Sequence, residues 1–166
     1  EDVLAIRNEG TGAGQIGVSG ANVTFAGVTI GTWAGGTGGA NLVITLNANS
    51  SATNTTALIN NLTYVNTDGD NPTTTTRNIR VVLTDGDGGT SANNDTTMTV
   101  AAANDAPTLA NLAGDALAYA EGDGAVIIEQ GSNATVADVD SADFNGGALT
   151  VSFTAGSDSA EDVLAV

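Results

Sequence analysis

The stretch NVTFAGVTIGTW, residues 22–33, decides the fold class of this chain. Apolar and polar residues alternate on both sides of Ala26-Gly27, which is the pattern of half-buried β-strands. Gly27 and its neighbour supply a turn between the two runs. The stretch therefore predicts a β-hairpin with strands over 22–25 and 28–33.

Alternating segments of the same kind continue along the chain in both directions from this hairpin. We expect further strands over 2–6, 15–18, 42–46, 78–83, 96–100, 117–119, 125–128, 134–136, 148–153 and 162–166. One segment departs from the pattern: SATNTTALINN has apolar residues at helical spacing after a capping Ser51, which predicts one short helix near 51–61. Short strands separated by turn signals about every 8–12 residues predict an all-β fold of the β-sandwich type.

The composition narrows the possible classes of function. The 166 residues include 19 acidic and 3 basic residues, a formal net charge of −16, and no Cys or His. The chain therefore has no disulfide, no thiolate metal site and no imidazole base. Nucleic acid is an unfavourable partner for such an anion, and no apolar run is long enough to insert into a membrane. A hard divalent cation would neutralise clustered carboxylates; the alternative is that the acids only keep a secreted protein soluble.

A six-residue segment occurs twice in the chain. Residues 1–6 read EDVLAI and residues 161–166 read EDVLAV, so that five of six positions match at a spacing of 160 residues. This match predicts one full period of a longer array followed by a short overlap. The period is far longer than a solenoid repeat, so each copy is expected to be a whole domain of a modular protein.

Acidic turns near the expected strand ends are the candidate metal sites. They are Asp85 and Asp87, Asp138 and Asp140, and the run NDAP over 104–107 with Glu121 nearby. Asp-x-Asp spacing places two carboxylates on one side of a turn, and an adjacent Gly lets backbone carbonyls approach. Calcium takes six to eight oxygen ligands and suits such clusters better than magnesium, which requires a tighter octahedron. An Asp-Gly pair is also a common turn, so the alternative is that these residues only shape the backbone.

Four motifs occur together along this chain. They are NDAP over 104–107, Glu121, the pair Asp138-Val-Asp140, and NNLTYVN over 60–66 followed by residues 77–89. Together they resemble bacterial cadherin-like and Ig-like tandem repeats, and more closely the repeats of giant secreted adhesins of the RTX type. The resemblance covers nearly the whole chain and implies an Ig/cadherin-like β-sandwich. In such modules an Asp-x-Asp turn, an Asn-Asp linker and a Glu near the start of the following domain share calcium.

The resemblance also implies a ligand set for Ca2+ at module junctions. Carried over residue by residue, the set is Asp85, Asp87, Asn104, Asp105, Glu121, Asp138 and Asp140. The linker continues with Ala106-Pro107 where animal cadherins have a further Asp-Asn pair, so the number of ions per junction stays open.

The linker implies a frame for the modules. Residues 1–103 are expected to form the larger part of one cadherin-like repeat module, and residues 104–166 the linker and first strands of the next. On this frame the chain is cut in mid-module. Its two parts then either pair with each other or complete neighbouring copies by strand exchange in a homopolymeric fibre.

These features favour a structural or adhesive repeat module of a secreted adhesin or extracellular filament at the bacterial cell surface, made rigid by calcium. We expect no enzyme, because nothing marks one acid as buried against apolar neighbours, as a general acid requires. The expected partners are neighbouring copies of the same repeat, head to tail, and surface glycans are a further candidate. The alternative function is a carbohydrate-binding module of a secreted multidomain protein, which needs aromatics such as Trp33 on one exposed face.

Overall fold

The computed structural model describes residues 1–165, and the chain divides into two compact units. The N-terminal unit is Glu1–Ala102 and the C-terminal unit is Ala103–Val166. The first unit contains β1 (Asp2–Ile6), β2 (Ile16–Ser19), β3 (Asn22–Phe25), β4 (Val28–Ala34), β5 (Val43–Leu46), α1 (Ala52–Ile59), β6 (Leu62–Asn66), β7 (Arg77–Val81) and β8 (Asn94–Met98). The second contains β9 (Thr108–Ala110) and β10 (Thr135–Ala137). That the two units are parts of successive modules stays a prediction.

Antiparallel pairing organises both units, which confirms the predicted all-β fold with one short helix among the described residues. β2, β3, β4 and β5 form a four-stranded sheet in sequence order. Two-residue turns connect β2 to β3 and β3 to β4, and residues 35–42 connect β4 to β5. β1 pairs with β6, β7 with β8, and β9 with β10. All seven strands predicted between residues 2 and 100 are present, each within two residues of its expected bounds, whereas β6 was not predicted.

The turn between β3 and β4 has the backbone that a two-residue hairpin needs. Ala26 and Gly27 have φ angles of 50° and 81°. Two successive residues with positive φ make the turn whose twist matches the right-handed twist of the flanking strands. Phe25 and Val28 pair directly across it. The hairpin predicted from residues 22–33 is therefore confirmed.

Apolar residues from β1 to β4 and from α1 form the core of the N-terminal unit. Ile16, Val23 and Ile30 are almost completely buried, and Ile6 and Leu58 complete the cluster. Partly buried side chains of β2, β3, β4 and β5 pack around it. Burial of each such side chain stabilises the fold by about 1.5–3 kcal/mol, so this cluster anchors the positions of the surrounding strands.

The helix α1 begins at the predicted cap. The Ser51 hydroxyl accepts the N–H of Asn54 at 3.4 Å, and the Asn54 side chain accepts the N–H of Ser51 at 2.8 Å. This reciprocal pair satisfies two backbone donors at the helix start. Leu58 packs into the core from the last turn of the helix. No helix among the described residues has the length and apolar character needed to cross a membrane.

β1 is held along both of its edges. On one edge it pairs with β6 in antiparallel register, from Asp2 opposite Asn66 to Ile6 opposite Leu62. On the other edge the N–H of Leu4 donates to the carbonyl of Gly36 at 2.8 Å. The two edges together fix β1 in place.

The C-terminal unit has far less regular structure. Among its described residues only β9 and β10 form a ladder, with Ala110 opposite Thr135 and Thr108 opposite Ala137. The strands predicted over 117–119, 125–128 and 148–153 are wrong, and so is the described part of the strand predicted over 162–166. Alternation makes a strand only where another strand accepts its hydrogen bonds and a core accepts its apolar face, and here neither is present.

Candidate functional site

The partly buried residues of the C-terminal unit are polar. Within its described residues they are Asp105, Glu129, Gln130, Asp138, Asp140 and Ser141. Large apolar side chains of the same unit are exposed instead, Leu149 by 84% and Ile127 by 76%. This inverts the usual arrangement, in which carboxylates stay in water unless another group compensates their charge. The partly buried acids therefore mark the candidate site.

Antiparallel pairing brings two of the predicted motifs together. Asp105 precedes β9, and Asp138 and Asp140 follow β10, so the three residues meet at the same end of the hairpin. The N–H of Asp105 donates to Oδ2 of Asp140 at 3.1 Å. We refer to Asp105, Asp138 and Asp140 as the hairpin-end acids.

The Asp138 carboxylate shapes the turn that follows β10. Its Oδ1 accepts the N–H of Asp140 at 3.1 Å and the N–H of Ser141 at 2.8 Å. Burial raises the pKa of Asp138, but the hydrogen bonds from Ser141 and Asp140 outweigh it, so this pKa lies below its ordinary value. Asp138 is therefore ionised at neutral pH.

Asp140 has one satisfied and one unsatisfied carboxylate oxygen. Oδ2 accepts from Asp105, whereas Oδ1 is buried and has no hydrogen-bond partner. A buried carboxyl oxygen without a partner is unfavourable, because it has lost its hydrogen bonds to water and gained none in return. A cation bonded to Oδ1 would remove this penalty. The oxygen-only chemistry of the hairpin-end acids fits calcium.

The other two predicted ligands of this unit lie outside the hairpin-end acids. Asn104 is adjacent to Asp105, and its side-chain amide donates to the Asp105 carbonyl at 2.7 Å. Glu121 lies in the exposed segment between β9 and β10. Within residues 1–165, no three acidic side chains gather closely enough to hold a metal ion by themselves. Calcium at Asp140 would therefore need amide or backbone carbonyls and water as well, which it accepts.

Asp85 and Asp87 belong to the N-terminal unit, where they form a tight turn. Oδ1 of Asp85 accepts the N–H groups of Asp87 and Gly89, both at 2.9 Å. These two bonds hold the pKa of Asp85 below its usual value. A Cβ at Gly89 would lie 2.4 Å from the second Asp85 oxygen, so the turn closes tightly around the carboxylate. One oxygen of Asp85 is thus hydrogen-bonded to backbone N–H groups of its own turn, so this carboxylate shapes the turn.

Sequence reasoning missed a cluster of charged residues around Arg77. Its Nε donates to both carboxylate oxygens of Asp2, at 3.2 and 3.0 Å, and its Nη2 donates to Glu1 at 3.0 Å. The Tyr64 hydroxyl and the Asn66 amide donate to the same Asp2 oxygen, at 2.5 and 3.2 Å. The Arg77 side chain is only 14% exposed. Three side chains therefore converge on one carboxylate.

Thr73 completes this arrangement. Its N–H and hydroxyl donate to the Glu1 carboxylate, while its hydroxyl oxygen accepts from Nη2 of Arg77 at 2.7 Å. We refer to the four residues that receive Glu1-Asp2 as the Arg77 socket; they are Arg77, Tyr64, Asn66 and Thr73. A signal for it was present in the sequence. The Glu-Asp pair opens both copies of the duplicated segment, and Arg77 is one of only 3 basic residues.

Trp33 lies on β4 and packs against the core of the N-terminal unit. Its indole N–H donates to the carbonyl of Gly20 at 3.1 Å. Both interactions hold the indole ring against the N-terminal unit, as expected for a side chain that packs against the core.

Comparisons with known proteins identify no relative of this chain. No family model, no curated protein and no solved structure matches the chain. The likeness to cadherin-like repeats therefore remains a prediction from the motifs, and the function has to be argued from the residues of the chain itself.

Proposed function

We propose that this chain is a structural or adhesive repeat module of a secreted cell-surface adhesin or extracellular filament, made rigid by bound Ca2+. The observation that carries the proposal is the buried, partnerless Oδ1 of Asp140 among the hairpin-end acids. The module acts by holding its neighbours at a fixed distance and has no catalytic role.

The charge of the chain supports a cation at this position. With a formal net charge of −16, the compact state is opposed by self-repulsion, and the few basic residues cannot offset it. The C-terminal unit also buries few apolar side chains, so its stability has to come from another source. A divalent ion at the hairpin-end acids supplies both the missing charge and a cross-link between two turns.

The duplicated segment supports the repeat architecture. Five of six residues recur at a spacing of 160, which is the length of a domain and not of a small structural repeat. A long array of anionic domains at a cell surface remains extended only if its junctions are stiff. Calcium at extracellular concentrations of about a millimolar suits sites with Kd on the order of 10⁻⁴–10⁻³ M.

Calcium titration of the full chain tests the metal site. Isothermal titration calorimetry is combined with NMR observation of the amides of Asp105, Asp140 and Ser141. We expect saturable binding, with the largest shifts at these amides. At 10 mM calcium the stabilisation should reach about 1.4–2.7 kcal/mol for the range of Kd above, and EDTA should reverse it.

A matched pair of variants shows whether the hairpin-end acids hold the ion. Asp140→Asn removes the buried anionic oxygen, while Asp143→Asn makes the same change of charge at an exposed residue that only caps the N–H of Asn145. Asp140→Asn should weaken calcium binding at least tenfold, whereas Asp143→Asn should leave it within about twofold of the parent. Equal effects of the two changes, or no calcium binding by the parent chain, would contradict the proposal.

The mechanical role needs a second measurement. Three head-to-tail copies of residues 1–160 are compared by small-angle X-ray scattering in calcium and in EDTA. We expect a longer maximum dimension and a narrower distribution of conformations with calcium. The same dimension in both solutions would contradict a role for calcium in stiffening the array.

A further inference from the structure

The two copies of the duplicated segment have different environments. In the first copy, Asp2–Ile6 is strand β1 and pairs with β6 along its whole length. In the second copy, residues 161–165 form a turn followed by irregular chain, and Val163 is 81% exposed. Residues 161–165 are identical to residues 1–5, so the difference comes from the presence of a partner strand and not from local sequence preference.

We infer that Glu161–Val166 is the β1 strand of a second copy of this fold. It occupies the β1 position on β6 of that copy, with Glu161-Asp162 in the Arg77 socket. This inference rests on the proposed repeat architecture, and it names the surface and the residues through which successive copies join.

The Arg77 socket receives two adjacent carboxylates at fixed positions, that of Glu1 and that of Asp2. Asp162 stands where Asp2 stands in the first copy, so its two oxygens would receive the guanidinium Nε, the Tyr64 hydroxyl and the Asn66 amide. A guanidinium matches a carboxylate in both charge and geometry. An Asn in place of Asp162 would lose the charge, and a Glu would carry the carboxylate one methylene too far.

The remainder of the segment fits the same strand position. Leu164 replaces Leu4, which places its N–H opposite the carbonyl of Gly36. Val166 replaces Ile6, which is 9% exposed in the core of the N-terminal unit. This exchange keeps the β-branched shape that suits a strand and removes only one methylene.

Charge complementarity directs the segment to this socket and to no other cation of the N-terminal unit. Arg80 already makes a two-bond pair with Asp95, at 2.7 and 2.8 Å. Arg7 pairs with Glu9, its neighbour two residues away, at 3.2 Å. Arg77 is the basic residue whose partners are the Glu-Asp pair that recurs at 161–162.

The present contacts of the second copy are replaced easily. Oδ2 of Asp162 accepts the N–H of Asp158 at 2.7 Å, and the N–H of Asp162 donates to the Asp158 carbonyl at 2.8 Å. Both groups lie in an exposed turn. Water can satisfy the Asp158 amide when Asp162 moves into the socket, so the exchange adds several hydrogen bonds and leaves no buried donor without a partner.

The test extends the full chain at its C-terminus with residues 7–102 of a second copy, so that 161–166 is the only available β1 for that copy. The second copy alone carries a 15N label, and hydrogen exchange is measured in EDTA. We expect its Thr67 amide, which follows β6 and donates to the first residue of the duplicated segment in the parent, to be as protected as in the full chain, and we expect the same of its β6 amides. Replacing 161–166 with a Gly-Ser segment of equal length should accelerate their exchange about 100-fold or more.

Two milder variants keep the test valid if the Gly-Ser protein fails to fold. Asp162→Asn should accelerate exchange of the second β6 by about tenfold, whereas Asp158→Asn, which touches only the turn, should not change it. Unchanged protection after the Gly-Ser replacement, or equal effects of the two single changes, would overturn the inference. Because EDTA is present throughout, the result does not depend on whether the chain binds calcium.

Discussion

Nε of Arg77 lies 3.2 and 3.0 Å from the two carboxylate oxygens of Asp2, although 75 residues separate them in the chain. Asp2 begins β1 and Arg77 begins β7, so this ion pair ties the β1–β6 pair to the β7–β8 pair. The described strand ladders do not connect these two sheets. The socket therefore joins parts of the N-terminal unit that backbone pairing leaves separate.

Asp2→Asn should lower the Tm of the N-terminal unit by several degrees. The change removes one of the two charged partners of Arg77, which is largely enclosed, and weakens the hydrogen bonds from Tyr64 and Asn66. Loss of the negative charge weakens every hydrogen bond made to this carboxylate, because charge-assisted hydrogen bonds are stronger than neutral ones. Thermal unfolding followed by circular dichroism measures the effect.

The chain contains a matched control for this prediction. Arg80 and Asp95 also form a two-bond pair, but both side chains are more than half exposed. Exposed ion pairs contribute little because water and salt screen them. Asp95→Asn should therefore leave Tm almost unchanged. An equal fall in Tm for both variants would show that the enclosed position of Arg77 does not increase the contribution of its ion pair to stability.

Acidification should remove the contribution of the Arg77 socket. Hydrogen bonds from Arg77 and Tyr64 hold the pKa of Asp2 below its ordinary value, and a hydrogen bond from Thr73 does the same for Glu1. A carboxylate with a lowered pKa in the folded state stabilises that state above its unfolded pKa. This stabilisation is lost as the pH falls below about 4 and passes through the folded pKa values.

The pH effect can be separated from that of the net charge. Protonation of the many other acids reduces self-repulsion and acts in the opposite direction. Melting curves of the parent and of Asp2→Asn between about pH 7 and pH 2.5 are therefore compared. The difference in Tm between them should be constant above about pH 5 and should shrink below about pH 4. A difference that persists at the lowest pH would show that the Asp2 charge is not its cause.

The sequence predicted the N-terminal unit much better than the C-terminal unit. Alternation around residues 22–33 succeeded because each apolar face there lies against a core and each strand has a neighbour in sequence. The helix was predicted because Ser51 and the apolar spacing are local signals. Residues 148–153 alternate just as clearly, yet they form no strand, because no strand accepts them in this chain.

The candidate sites differ in a similar way. The resemblance to cadherin-like repeats grouped Asp105 with Asp138 and Asp140, and the strand expected over 134–136 is present. No strand was expected at Thr108–Ala110, so the pairing that brings these acids together was not predicted from the sequence. The Arg77 socket required contacts between residues as far apart as Glu1 and Arg77. Neither hydrophobic period nor turn chemistry specifies such a contact. Only the repeated Glu-Asp pair marked its importance.

Ile30→Ala should be strongly destabilising. Ile30 is 1% exposed on β4, and truncation to Ala removes three carbons and leaves a cavity among Ile16, Val23 and Leu58. Changes of this kind cost about 2–5 kcal/mol. Val28→Ala on the same strand is the control, because Val28 is 54% exposed and its loss should cost less than about 0.5 kcal/mol. Urea unfolding measures both, and similar losses at the two positions would refute the assignment of Ile30 to the core.

Gly36→Ala should loosen β1 without altering any residue of that strand. Gly36 has a φ of +85°, and an added Cβ would lie 2.1 Å from the carbonyl oxygen of Leu4, so the backbones of Gly36 and β1 would have to separate. Gly38 also has a positive φ, +60°, but a Cβ added there would meet nothing within 4 Å, so Gly38→Ala adds only backbone strain of about 1 kcal/mol. Hydrogen exchange at the Leu4 amide, which donates to Gly36, should therefore accelerate far more in Gly36→Ala than in Gly38→Ala. Equal acceleration would mean that strain alone acts at both positions, and that β1 is held by β6 and the Arg77 socket without the Gly36 contact.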